Sequence, residues 1–263
     1  MQTSHLSVSG LRPMEWRSSA LHFGVPALAM VLATYIATPA LVSLGMLPFY
    51  AQMLPNCVVL ISMLAAAIWG YRSEGRPLVW NGIKERFRLY ALTGRTWLWA
   101  LGAGALSFVF YGLASGLGQW LIQAGWMPLP NSLPAWLDPR VSLPLVERFG
   151  REAGGLQGNW LAFAMAATTF FFNIVGEEFW WRGYILPRQE LALGKWTWLA
   201  HGVMWALFHI FKWWDVIGLL PGCVLLSYVV WRKRNTTIGV VMHIMSNVGF
   251  PALVLLGVLG INL

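Results

Sequence analysis

The stretch from Leu161 to Val175 carries no charge, and it then runs into Glu177, Glu178 and, four residues after Glu178, Arg182, before apolar residues resume at Tyr184-Ile185-Leu186. A charge at the centre of a bilayer helix costs about 2.5–3.5 kcal/mol on insertion scales, so such residues face an interior cavity and pair. Glu178 and Arg182 share one helix face, as an ion pair requires. Glu177 points about 100° away and is free to face something else. Taken alone, the same group also fits a pair of interfacial glutamates at a helix end.

Composition decides the solvent. The chain is 57% hydrophobic and only 11% charged, against roughly 25% charged for soluble domains. The expected fold is all-α, a polytopic helical membrane protein. A β-barrel would show short alternating segments instead of long apolar runs. The net charge of +8 is no sign of nucleic acid, because basic residues of membrane proteins collect in loops and set orientation. Cys57 and Cys223 both lie in apolar runs and offer neither a disulfide framework nor a zinc-ligand spacing. Residues 1–20 are polar and lack the apolar core of a cleaved signal peptide.

At about 20 residues per span, about seven spanning helices are expected, or eight, near 21–46, 50–71, 96–122, 161–186, 196–211, 216–231 and 237–258. Four segments result: a cytoplasmic amino-terminal piece (1–20), amino-terminal membrane helices (21–124), a Pro/Gly-rich outer loop (125–158) and a carboxyl-terminal bundle of four spans (159–263). The loop holds apolar Trp136, Leu143, Leu145, Val146 and Phe149, so an ordered loop or a short interfacial helix is expected. Basic residues gather in 71–95, at Arg188 and Lys195, and at Arg232-Lys233-Arg234. An odd span count puts all of these on one side, cytoplasmic by the positive-inside rule, with the carboxyl terminus outside.

The last spans hold further polar groups. Trp205 and His209 are four apart, as are His243 and Asn247. A lone intramembrane histidine is more often a helix-packing residue, but two of them with an asparagine and Glu-Glu-x-x-x-Arg make a functional cluster. One glutamate with two imidazoles can activate water, pass protons and stabilise an oxyanion, or bind a metal. His201 is the weaker candidate, and His5 and His22 lie outside the cluster. No Gly-x-Ser-x-Gly, His-Glu-x-x-His or phosphate loop is present.

The set Glu177-Glu178-x-x-x-Arg182, an aromatic four residues before His209, and His243-x-x-x-Asn247 resembles the CAAX protease and bacteriocin-processing (CPBP, or Abi) family of intramembrane endopeptidases. That family shows Glu-Glu-x-x-x-Arg, Phe-x-x-x-His and His-x-x-x-Asn/Asp motifs in successive helices, and the resemblance covers roughly 159–263. One departure is visible: Trp205 stands where the family has Phe, a change expected to alter packing more than chemistry.

The resemblance implies hydrolysis of a peptide bond in a membrane-anchored or lipid-modified protein or peptide, within a bacterial inner (cytoplasmic) membrane. By the same resemblance Glu177 is similar to the general base, with His209 helping to hold water. His243 and Asn247 look like stabilisers of the tetrahedral intermediate, and Glu178 with Arg182 and Trp205 supports them structurally. Glu177, His209 and His243 could equally fill three positions around Zn²⁺, so the cofactor is either none or zinc. The rival readings are a catalytically idle membrane binding or immunity protein and a transporter with a buried Glu/His relay. The transporter would favour repeats related by symmetry, and none is evident.

A site built from all three residues needs comparable depths. It requires the fourth span to continue through Arg182 to about Leu186, with the cavity in the half nearest the basic loops. The orientation is checked by labelling single cysteines placed at Arg86 and Leu263. Labelling from opposite sides is expected, and labelling of both from one side defeats the odd span count.

Overall fold

Helix is the only regular structure among the described residues of the computed structural model, which covers residues 10–131 and 133–261. The expectations placed on residues 1–9, His5 among them, and on Leu263 lie outside the described residues. Helix α1 (Trp16–Ser43) and helix α2 (Pro48–Ser73) are followed by the short α3 (Trp80–Arg86) and the long α4 (Gly94–Gln123). The segment 125–158 carries α5 (Leu145–Ala153). Helix α6 runs without a break over 160–193. Then come α7 (Thr197–Phe208), α8 (Val216–Lys233), α9 (Thr236–Asn247) and α10 (Gly249–Val258).

By length and hydropathy four helical stretches can cross a membrane, or five if the bent pair α9–α10 (43°) is one span. This makes the chain an integral membrane protein; the run 160–233 counts as one of these stretches, so the count does not confirm seven separate spans. The run 160–233 is helical almost throughout, so the three spans expected there are not divided by loops. It turns at two points instead: Gly194 at φ 53°, and Lys212, whose φ of −131° and ψ of 60° interrupt the 3₁₀ turn His209–Asp215. The chain folds back there, and α7 packs along α8. Both turns fall between the spans expected at 161–186, 196–211 and 216–231.

The prolines explain the two wide turns. Pro39 lacks an N–H and its ring crowds the carbonyl four residues back, and the helix opens into a π turn over Ala33–Ala37 just before it. In α6 the π segment Glu178–Ile185 precedes Pro187. Pro187 leaves the carbonyl of Gly183 without its helical donor, and Nη1 of Arg86 donates to it at 2.8 Å. π turns inside α-helices concentrate at functional sites, and this one holds Glu178 and Arg182.

The basic loops meet at one end of the bundle. Arg86 donates to both oxygens of Glu74, and Arg188 and Arg76 join them. Arg88 forms a two-pronged pair with Glu190, and its carbonyl receives the N–H of Thr236. Burial by itself raises the Glu74 carboxyl, but the hydrogen bonds and charges of Arg86 and Arg188 outweigh it and hold Glu74 below the usual carboxylate range. At the opposite end Phe49, Phe149, Leu156 and Val254 form a separate core beneath α5, and the Gly158 N–H donates to Val258 at the close of α10.

Helix α2 lies against the first half of α6, and the two backbones come close at Gly176. A Cβ there would stand 2.5 Å from the Leu60 carbonyl oxygen, so the two backbones touch only because residue 176 has no side chain. Gly176→Ala is expected to destabilise the fold by about 1–3 kcal/mol, as overpacking does. Thermal unfolding in detergent checks this, and an unchanged midpoint would show that the contact can relax.

Candidate active site

Helix α6 sends its two glutamates in different directions. Glu177 and Glu178 are 1% and 0% exposed. Glu177 is held by three N–H donors: Nδ2 of Asn173 on Oε1 at 2.8 Å, and the indole Nε1 groups of Trp181 and Trp205 on Oε2 at 3.1 and 2.7 Å. Asn173, Glu177 and Trp181 are successive fourth residues of one helix, so they lie on one face. Trp205 comes from the facing helix α7.

Glu178 turns the other way. Its Oε1 takes Nη1 of Arg182 at 3.0 Å and Nδ1 of His243, from α9, also at 3.0 Å. Arg182 is completely buried, and none of its guanidinium nitrogens makes a directed hydrogen bond within the protein. Its contact with Glu178 is therefore one of charge. The guanidinium lies 3.6 Å over the Trp205 ring, within the range of a cation–π contact. Helix α9 comes this close because residue 239 is glycine: a Cβ would meet Oε2 of Glu178 at 2.5 Å.

Trp205 thus touches Glu177, Arg182, His243 and His209. Its N–H holds Glu177, its face carries Arg182, and its ring packs edge-on against His243 at 5.4 Å. Its carbonyl oxygen accepts from Nδ1 of His209 at 3.0 Å. A carbonyl cannot donate, so Nδ1 bears the hydrogen and Nε2 is left as an acceptor. One turn beyond His243, Asn247 donates from Nδ2 to the His243 carbonyl oxygen at 3.1 Å.

Glu177, His209 and Asn247 line a single cavity of about 550 Å³. Its further wall is made by Tyr111 and Gln119 in the second half of α4 and by Trp136 and Phe149 of the 125–158 segment. The cavity therefore lies in the half away from the basic loops. This corrects the expected position near those loops. The basic half is closed by packed rings, Trp181, Tyr71, Phe87 and Phe23 among them, all 4% exposed or less.

The structure brings Glu177, His209 and Asn247 together and directs His243 to Glu178, away from the direct partnership with Glu177 that the sequence suggested. His201 is fully buried on Gln189 at 2.7 Å, outside the cavity lining. Two functional neighbours were missed, Asn173 and Trp181, although each stands one helical turn from Glu177. The expectation for Trp205 is also corrected: its departure from Phe adds an N–H donor to Glu177, which is a chemical difference as well as a packing one. The zinc alternative does not fit. Among the described residues no three His, Cys, Asp or Glu side chains converge on a metal position, and Nδ1 of His243 is engaged by Glu178.

Comparison with known proteins agrees with the motifs. Residues 159–249 match the family model described as type II CAAX prenyl endopeptidase, Rce1-like. No curated protein and no solved structure matches the chain. The matched residues contain Glu177, Glu178, Arg182, Trp205, His209, His243 and Asn247, and over this segment the chain is similar to the CAAX protease (CPBP) family of intramembrane endopeptidases.

Proposed function

We propose that the protein hydrolyses a peptide bond in a membrane-anchored or lipid-modified protein or peptide, using water activated by Glu177 and His209. The observation that carries this reading is the shared cavity: Glu177, His209 and Asn247 reach one space large enough for a peptide segment. An acceptor imidazole nitrogen and a carboxylate flanking one space are what water activation requires.

In this mechanism a water is held between Glu177 and Nε2 of His209. Glu177 takes one of its protons as the oxygen attacks the peptide carbonyl carbon, and the carbonyl electrons move onto its oxygen. Asn247 uses one Nδ2 hydrogen on the His243 carbonyl and keeps a second for the oxyanion. His243 donates Nδ1–H to Glu178 and so holds the helix that carries Asn247 against the site. Collapse of the intermediate breaks the C–N bond, and the proton passes to the departing amine. With the basic end in the cytoplasm, the cavity faces the other leaflet, and an anchored substrate enters from there.

Glu177→Gln, His209→Ala and His243→Ala are each expected to abolish cleavage while the protein still inserts. Asn247→Ala should keep residual activity, because one oxyanion donor is worth about 2.7–4 kcal/mol. Comparative membrane proteomics of wild type and Glu177→Gln should reveal an uncleaved protein. Full activity of purified Glu177→Gln overturns the reading and favours a non-catalytic binder.

Glu178→Ala tests the support. It strands a buried guanidinium, for which about 3–5 kcal/mol of destabilisation is expected. Glu178→Gln combined with Arg182→Leu should recover part of that loss. Thermal midpoints in detergent read both, and a stable Glu178→Ala protein would mean that the pair does not brace the helix.

A further inference from the structure

We propose that Trp181 and Trp205 are positioning residues of the hydrolytic site, whose indole N–H groups pin Oε2 of Glu177 and so reserve Oε1 for the reacting water. The proposal rests on the reading of Glu177 as the base and adds the groups that decide which of its oxygens can act.

The argument starts from lone pairs. A carboxylate has about four acceptor positions, two on each oxygen. Oε2 accepts from Trp181 at 3.1 Å and from Trp205 at 2.7 Å, and both positions are filled. Oε1 accepts only from Asn173, at 2.8 Å, and keeps one. Glu177 is 1% exposed yet lines the cavity. A water that reaches it therefore finds one free acceptor position, on Oε1.

Both indoles are fixed by their own neighbours. Trp181 is fully buried, stacked on Phe23 with centroids 4.3 Å apart and planes 3° from parallel, and Phe208 meets it edge-on at 5.3 Å. Trp205 lies beneath the Arg182 guanidinium. A phenylalanine at either position would keep a ring in these stacks and lose the donor. Phe23 belongs to α1, far outside the matched residues 159–249. The amino-terminal helix thus reaches the base through one ring, Phe23 on Trp181, and Trp181 on Glu177.

The test uses the full-length protein in detergent with a quenched-fluorophore library of apolar peptides. Trp181→Phe and Trp205→Phe are each expected to lower kcat about 10- to 100-fold, the range for a misplaced reacting group, with KM held within about twofold. Benzothienylalanine at either position keeps the two-ring volume and lacks the N–H, and it should reproduce the loss. Recovery of kcat with that residue would assign the effect to packing and overturn the proposal, as would unchanged kcat in both Phe variants. Infrared difference spectra of wild type minus Glu177→Gln isolate the Glu177 carboxylate stretch, which should shift in Trp205→Phe. If wild type hydrolyses none of the peptides, the assigned activity is in question while the infrared band still decides the clamp. A band that does not move overturns the clamp.

Discussion

A guanidinium with no exposed surface must be neutralised, and Arg182 is paired with the Glu178 carboxylate while its flat face rests on Trp205. Leaving either charge alone would cost several kcal/mol, so these contacts tie three helices together. Arg182 and Glu178 come from α6, Trp205 from α7 and His243 from α9. The glycine at 239 follows from this requirement, because α9 must bring His243 to an oxygen of Glu178 with no side chain between the helices. The position of Asn247 follows in turn, one helical turn past His243. With the charge cluster in place, Trp205 can turn its N–H to Glu177 on its other side.

Much of this was legible in the sequence. Low charge content and long apolar runs imply a helical membrane protein, and four-residue spacings pair Glu178 with Arg182 and Trp205 with His209. The less legible parts have physical causes. The turns at Gly194 and Lys212 keep helical hydrogen bonding around them, so the run from Trp160 to Lys233 shows no loop where the expected spans part. The partner of His243 is set by the close approach of α9 to α6, which depends on Gly239 and has no signature of its own. The donor role of Trp205 was read as packing, because a motif match compares ring with ring and ignores the indole nitrogen. Asn173 and Trp181 were within reach: a polar residue and an indole one turn either side of a buried glutamate are natural partners for its oxygens.

The molecule is filled unevenly, and that unevenness places the cavity. Around Arg86 and Glu74, arginines, tyrosines and phenylalanines pack to closure, with Arg86 and Arg188 lying over the Tyr184 ring. Toward the 125–158 segment, α4 and the first half of α6 stay apart, and the polar side chains Asn56, Thr169 and Asn173 lead along the cavity wall to Glu177. Groups of this kind are costly in an apolar setting unless they bond to something. The proposed peptide substrate would have to satisfy its backbone groups in an apolar cavity, and a polar path on one wall would serve an extended segment for that purpose.

The matched segment does not make this site alone. The cavity that reaches Glu177 is closed by Asn56 and Leu60 of α2, by Tyr111 and Gln119 of α4, and by Trp136 and Phe149 of the intervening segment. The indole that pins Glu177 is itself held by Phe23 of α1. Catalytic groups need placement to a fraction of an ångström, and the rigidity that achieves this comes from neighbours packed against them. Residues 159–249 contain the groups proposed to react, and the helices before them supply walls of the cavity and the ring packed on Trp181. Differences among such proteins in the amino-terminal helices would then alter both the shape admitted to the cavity and the hold on the base, with every motif residue unchanged.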